Sequence, residues 1–551
     1  MRSRSMTLFL SIGLVAAACG DDDTDDGGDD DDGPVQETLL DRAAEALGGA
    51  AAIQAARSER ITAVGTRLDP SEAPSSTETV EIGDFEYSLT HRLAEDRLRV
   101  HTTVESDFLV PITMDYTIVI DGDGGSVEGV ADLFSGVADP RSLPSAQLTT
   151  RLKHTRVTSI LALMRRALAD PDMVSQEEDA ERDGRLHHVL AVESDDHPPL
   201  RLFIDPASLL PVAIETTEHT PPLGDTLVAV QLDDYREVGE LRLPYQVTID
   251  VDGLAVHAET RSLIEIDPDD PDEGYAVAGP LRAPFVEADG HRGWIGAQYL
   301  QGVELLGLPF FYLDPSEIAF DFVELAPGVF HARGGTHNVL VVEMADHLVL
   351  VDAPVRESYS QRLHAAMAKR FPDKPVRTVV ASHFHYDHVG GIRYFAADCG
   401  VTVVAGAPSV PFYQAVFANP YSVEPDRYAG SQEPVTIEGV EGSLELTDGT
   451  RTVEVHRIAS GHAADMVIVY LPAERILFNA DLWSPEQGPL VGYFLVGATE
   501  LRDETARLEL PGETLVVGAH SAGTGTLADL GELVEQETGA RPAPPAPQRI
   551  W

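Results

Sequence analysis

The chain has 551 residues, 43% of them hydrophobic, and carries 91 acidic against 39 basic side chains, a formal charge of -52. That length supports more than one buried core. A surface so acidic repels phosphate backbones and excludes nucleic acid as substrate or partner.

The first nineteen residues, "MRSRSMTLFLSIGLVAAAC", open with Arg2 and Arg4, run apolar from Met6 to Val15, and end in three alanines before Cys19. The run is shorter than the roughly 20 apolar residues that span a bilayer, and the three-part layout is that of a secretory signal. Its end resembles the lipobox of bacterial lipoproteins. The resemblance implies a signal peptide over 1–19, lipidation of Cys19, and a protein anchored to a membrane of the bacterial envelope by its acyl chains. A plain signal cleaved near Ala18, with secretion, is the alternative. Residues 20–34, "GDDDTDDGGDDDDGP", repel one another and bury nothing, so they read as an acidic tether. Cys399 is the only other cysteine. It has no intrachain partner once Cys19 is lipidated and reads as an ordinary buried thiol.

Residues 35–267 form the next unit. Helical spacing over Val35–Ser58 is interrupted at Gly48-Gly49, and a second helix is expected over Gln147–Ala169, with Leu148, Leu152, Ile160, Leu161 and Met164 on its apolar side. Around them lie alternating runs such as "TVEIGDFEYSLT", "DYTIVIDGDGG" and "LPYQVTIDV" that read as antiparallel strands. The expectation is an α+β domain with a half-barrel-like sheet curling around helices. The texture of "RLFIDPASLLPVAIE" and "DDYREVGELRLPYQVTI" resembles periplasmic lipoprotein and lipid carriers. That resemblance implies a lipid or acyl ligand; a spacer or docking domain fits the same strands equally well. Residues 268–315 read as a linker, acidic and Pro-rich at "DPDDPDEG", then apolar.

Residues 316–535 change pattern. Apolar strands such as "NVLVVE", "HLVLVDAP", "VRTVVASH" and "VTVVAGAP" alternate with helical segments, and each strand ends at polar residues. This is α/β texture, which places ligand-binding groups at strand ends. The long connection Ala405–Glu433, rich in Pro and Tyr, either borders a pocket or wraps the surface. Residues 536–551 form a Pro-rich tail.

One of those strand ends is crowded. In "ASHFHYDHVGG", His383, His385, Asp387 and His388 fall within six positions, followed by Gly390-Gly391. Unpaired imidazoles are costly to desolvate, and a divalent metal offsets that cost by accepting their lone pairs. Further along, His462 in "SGH", Asp481 in "FNAD" and His520 in "GAH" each close a strand. Taken singly, each reads as a cap or a satisfied core residue.

Together, "HFHYDH", "SGH", "NAD" and "GAH" in this order, after an upstream "LVLVDAP", resemble the metallo-β-lactamase superfamily over about Phe320–Leu530. The resemblance implies an αββα fold with His383, His385 and His462 on one metal and Asp387, His388 and His520 on a second. Asp481 would bridge the two. Asp352 would support the ligand loop without ligating, and Asn338 has no catalytic part. The implied cofactor is a pair of zinc ions, with iron or manganese compatible with the same donors. The implied activity is hydrolysis of a small-molecule ester, lactone, thioester or amide by a hydroxide shared between the zinc ions, with Asp387 handling protons.

Departures narrow the field. Asp481 stands where many β-lactamases of the superfamily have Cys, and His385 where the flavin-linked diiron oxidoreductases have Glu. The short remainder after His520 leaves no room for the helical domain of hydroxyacylglutathione hydrolases, and the charge argues against nuclease branches. A single-iron sulfur dioxygenase and a non-catalytic lipid-binding envelope protein remain as alternatives.

Overall fold

A computed structural model describes residues 37–281 and 319–540, apart from 96, 123, 132–135, 144–150, 153, 156–157, 195–196, 270–271, 335–336, 432–433 and 487–489. The signal segment with Cys19, the tether, most of the 268–315 linker and the end of the tail lie outside the described residues.

The N-terminal part is an antiparallel sheet of 14 strands among the described residues, from Ser58–Asp69 through Leu254–Ile266. The first strand lies near its middle. Ser58–Asp69 pairs with Val80–Arg92 on one side and Leu254–Ile266 on the other, so the two ends of the domain meet in one ladder. The expected N-terminal helix is two, Leu39–Ala46 and Ala50–Ala55, split at the glycine pair. The later helix spans Ile160–Ala169, with Ile160, Leu161 and Met164 buried. All three helices pack their apolar faces on the strands through Leu40, Leu47, Ile53, Leu163 and Val230. The sheet also lines a small cavity whose walls mix Ile61, Leu98, Val247 and Ile249 with a buried charged group. There Arg261 donates to Glu259 at 2.8 Å and His257 lies 3.0 Å from the same carboxylate.

The C-terminal part stacks two sheets. Among the described residues the first has seven strands, Asp321–Ala326 to Thr436–Val440; it is antiparallel as far as Leu348–Val351, then parallel through Val376–Val380 and Thr402–Gly406. The second has six among the described residues, from Ser443–Thr447 to Gly525–Thr526, with Ile476–Asn479 parallel to Leu515–Gly518. These strands are apolar on both faces because both are covered. Leu340, Val342, Val349 and Val351 face Val455, Val467, Val469 and Phe478 between the sheets. The alternate residues Val339, Val341, Leu348 and Leu350 join Leu363, Met367 and Phe395 of the helices outside. The layers are therefore helix, sheet, sheet, helix.

The two parts are stitched by the connection at 405–433. Asn419 donates to the Leu223 carbonyl at 3.0 Å, Tyr421 bonds Pro222, and the Ser422 amide donates to Asp225 at 2.8 Å. Behind it, Arg393 pairs with Asp426 at 2.6 Å and stacks on Tyr421. The segment, expected either to border a pocket or to wrap the surface, carries contacts to the N-terminal domain.

Candidate metal centre

The strand Val376–Val380 is central and parallel, and the chain leaves its C-terminal end as "ASHFHYDHVGG". One short helix, Tyr386–Val389, turns the segment, and the helix Ile392–Cys399 follows at once. Two glycines permit this tight path. A Cβ on Gly390 would sit 2.0 Å from the Val355 oxygen, and one on Gly391 would sit 2.2 Å from the Ser360 Oγ. His462 follows the strand Thr452–Arg457, Asp481 lies just past Ile476–Asn479, and His520 just past Leu515–Gly518. Strand ends of both sheets thus deliver side chains to one spot.

These side chains form two clusters whose donor atoms lie within 4.8 Å of one another: His383, His385, His462 and Asp481 in the first, Asp387, His388, Asp481 and His520 in the second. In the first, His383 Nε2 and His462 Nε2 are 2.9 Å apart, and His462 Nε2 is 3.1 Å from Asp481 Oδ2. In the second, Asp481 Oδ1 lies 2.9 Å from His388 Nε2 and 3.0 Å from His520 Nε2. Asp387 Oδ2 lies 3.3 Å from His388 Nε2. Asp481 belongs to both clusters and turns one oxygen to each.

Whether these residues suit metal ions is decided by what the donor atoms lack. His385 Nδ1 is buried with no hydrogen-bond partner, and the buried His388 Nε2 and Asp481 Oδ1 face only each other and the remaining donor atoms of the second cluster. Buried polar atoms are normally paired, so one such atom in the first cluster and two facing each other in the second are donors in want of cations. The opposite nitrogens of four of the histidines are held. His383 Nδ1 meets the Ser382 Oγ at 3.1 Å, His385 Nε2 the Ala73 carbonyl at 2.9 Å, His388 Nδ1 the Asp352 carboxylate at 3.0 Å, and His462 Nδ1 the Tyr493 hydroxyl. Such partners fix ring orientation and tautomer.

Asp352 anchors this arrangement. It is buried, has φ of 70°, and accepts from the Ser382 amide at 2.8 Å, the Ser382 Oγ at 3.0 Å and His388. Ligation needs neutral imidazoles and ionised carboxylates; His383, His385, Asp387 and Asp481 are shifted toward those states, whereas His388 and His520 are shifted toward the charged ring by the carboxylates they face. Burial, reinforced by neighbouring imidazoles, holds His383 well below the usual range and pushes His385 down to about 3. Burial alone would raise Asp387 and Asp481, but the facing imidazoles, His388 foremost, outweigh it and hold both carboxyls well below their usual value. His388 is held up by the same carboxylates against its burial.

Two contributors escaped the sequence reading. His337, beside Asn338, is buried and donates from Nε2 to Asp387 Oδ2 at 3.0 Å, with its ring 4.7 Å from that of His520. The "THN" preceding a strand was its only signal. Asn338 itself bonds the Ser521 carbonyl at 2.9 Å. The other contributor is the turn after Asp69. Burial, then the nearby carboxylates of Asp387, Asp69 and Asp481, hold Glu72 well above the usual range. Elsewhere, His364, Asp398 and Cys399 also approach one another, but Asp398 is paired with Arg427 and burial pushes the thiol up to about 11. That trio has the character of an ordinary half-buried cluster, in keeping with the reading of Cys399.

Residues 332–520 match the family described as the metallo-beta-lactamase superfamily. Among curated relatives, the chain is similar to a metallo-beta-lactamase type 2 of Bacteroides fragilis, 24% identical over 201 residues, 36% of this chain and 72% of that one. It is similar to a linear primary-alkylsulfatase of a Pseudomonas species, 25% identical over 30% of this chain and 36% of that one. It is also similar to the alpha subunit of a 2,4-dinitroanisole O-demethylase of a Nocardioides species, 25% identical over 27% of this chain and 41% of that one. Among solved structures, a metallo-beta-lactamase from Pontibacter korlensis covers 39% of this chain and 99% of its own at 20% identity, with a TM-score of 0.31.

Proposed function

Because residues 332–520 carry a metallo-β-lactamase superfamily domain, we propose that the protein is a metal-dependent hydrolase holding two divalent ions between the clusters. Three imidazoles with a carboxylate on one side, and two carboxylates with two imidazoles on the other, suit zinc. The observation that carries this reading is Asp481, whose two oxygens face the two clusters at about equal range. When bound, such a pair of ions supplies Lewis acidity and lowers the pKa of a water from about 15.7 toward about 7.

The protein's own residues divide the remaining work. Asp387 is held ionised at the edge of the site and is the group placed to accept the proton of the attacking water and pass it to the leaving group. His337 holds the Asp387 carboxylate in position through its Nε2–H. Asp352 and Ser382 keep the His383 and His388 donors turned inward. Exposure runs one way across the site. The side chains of His383, His385 and His388 are at most about 1% exposed, whereas Asp387 and His520 reach 19% and 30%. Substrate therefore approaches over the second cluster.

The acidic protein disfavours polyanions, so a neutral or apolar ester, lactone, thioester or amide is the proposed substrate class. With the lipobox at Cys19, the proposed setting is the bacterial envelope, anchored by acyl chains. The test is metal analysis of the purified protein with a panel of esters, lactones, a β-lactam and an alkyl sulfate, on wild type and Asp387→Asn. Two zinc ions per chain and hydrolysis that falls about 100-fold or more in the variant are expected. Zinc without hydrolysis dependent on Asp387 sinks the proposal; one iron per chain points to an oxygenase.

A further inference from the structure

The first strand of the N-terminal sheet ends at Asp69, and the chain then makes a turn that reaches the other domain. Asp69 is buried and accepts from the Ser71 amide at 2.7 Å and the Ser71 Oγ at 2.6 Å, which closes the turn on itself. The turn then delivers two carbonyls across the domain boundary. Ala73, fully buried, accepts from His385 Nε2 at 2.9 Å, and Pro74 accepts from the Ala464 amide at 2.8 Å, two residues after His462. A second N-terminal loop arrives nearby. The Phe108 ring lies 5.7 Å from that of Tyr493, whose hydroxyl meets His462 Nδ1.

A carbonyl only accepts, so the proton of His385 must sit on Nε2 and its lone pair on Nδ1. Nδ1 is the buried atom left without a partner and turned to the first cluster. His383 has an equivalent support from within its own domain, through Ser382 and Asp352. For His385, the support comes from a segment more than 300 residues away in sequence and outside the stretch that matches the superfamily.

We infer that the N-terminal domain is a working part of the metal centre: its Asp69–Pro74 turn is a positioning element that sets the tautomer and aim of His385 through the Ala73 carbonyl. This rests on the reading of the clusters as a metal centre. The domain is then neither a detached spacer nor solely a carrier, because the catalytic domain on its own has His385 without its anchor.

The test uses the full chain and measures affinity for zinc by chelator competition on metal-free protein. Asp69→Ala removes the acceptor that closes the turn, and Asp69→Asn restores an acceptor oxygen. The double variant Ala73→Gly/Pro74→Gly keeps Asp69 but lets the carbonyls wander. Loss of an outer partner of a metal-ligating histidine costs about 10–100-fold in affinity. The expected result is a loss of that size for the tighter zinc in Asp69→Ala and in the double glycine variant, with near wild-type affinity in Asp69→Asn. A purely structural role predicts lower melting temperatures without any change in zinc affinity, and that outcome overturns the inference. Should Asp69→Ala fail to fold, the double glycine variant decides alone. Wild type that binds no zinc, iron or manganese overturns the metal reading itself, which is a different result from unchanged affinity among the variants.

Discussion

His337 shows how much one imidazole contributes when it faces an ionised acid. Burial lowers its pKa to about 4, so at neutral pH it is uncharged and donates a single N–H to Asp387. A hydrogen bond to a charged group is worth about 1.5–3 kcal/mol. His337→Ala is therefore expected to lower kcat about 10–100-fold, with a circular dichroism spectrum like that of wild type. An unchanged kcat on the best substrate of the panel would show that Asp387 needs no such support. Asp352 works differently, through three donors on one carboxylate, and touches none of the proposed chemistry directly.

At the scale of elements, the ligand segment depends on how closely the chain can pass itself. The turn after Val376–Val380 must bring four ligand-type side chains inward and start a new helix within a few residues. That brings the backbone at Gly390 against the Val355 carbonyl, with an added Cβ only 2.0 Å from its oxygen and 2.6 Å from its carbon. Backbone atoms cannot yield as a flexible side chain would. Gly390→Ala is expected to cost about 1–3 kcal/mol and to weaken zinc binding, read as a lower melting temperature and a weaker affinity in chelator competition. A variant as stable as wild type would mean that the Pro354–Arg356 stretch shifts freely, which its contacts with the ligand segment argue against: the Val355 amide donates to the Asp387 carbonyl at 3.2 Å.

At the scale of the molecule, the domain boundary has its own titration. His219 lies at that boundary, its ring 5.2 Å from that of Tyr421, and burial lowers its pKa to about 4 although Asp426 and Asp225 oppose this. In the unfolded chain the group titrates near 6.5. Between these values the unfolded state binds the extra proton, so stability falls as pH drops from about 6.5 to about 4 and is constant again below. The full effect amounts to at most about 3 kcal/mol. A denaturant series across this window is expected to show the loss in wild type and a flatter profile in His219→Phe. Identical slopes would place the acid sensitivity elsewhere.

Helices and strands of both domains were largely legible in the sequence, because burial on one or both faces leaves a period in the apolar residues. The glycine break at 48–49 and the buried side of Ile160–Ala169 are examples. Most of the linker and the lipobox lie outside the described residues and remain expectations. The convergence of His383, His385, Asp387, His388, His462, Asp481 and His520 was legible only through spacing and resemblance. His337 was not, since a lone histidine before a strand leaves no period and no cluster.

What the sequence determined by itself was local: acidity, the periodicity of each element, and which residue types carry lone pairs fit for a metal. Only the tertiary structure decided which atom of each residue is free to use them. Asp481 turns its two oxygens to two clusters, and His385 presents Nδ1 because the Ala73 carbonyl has taken Nε2. Hydrogen bonds between residues hundreds of positions apart leave no trace in spacing, because their geometry is set by how two domains pack rather than by the chain between them.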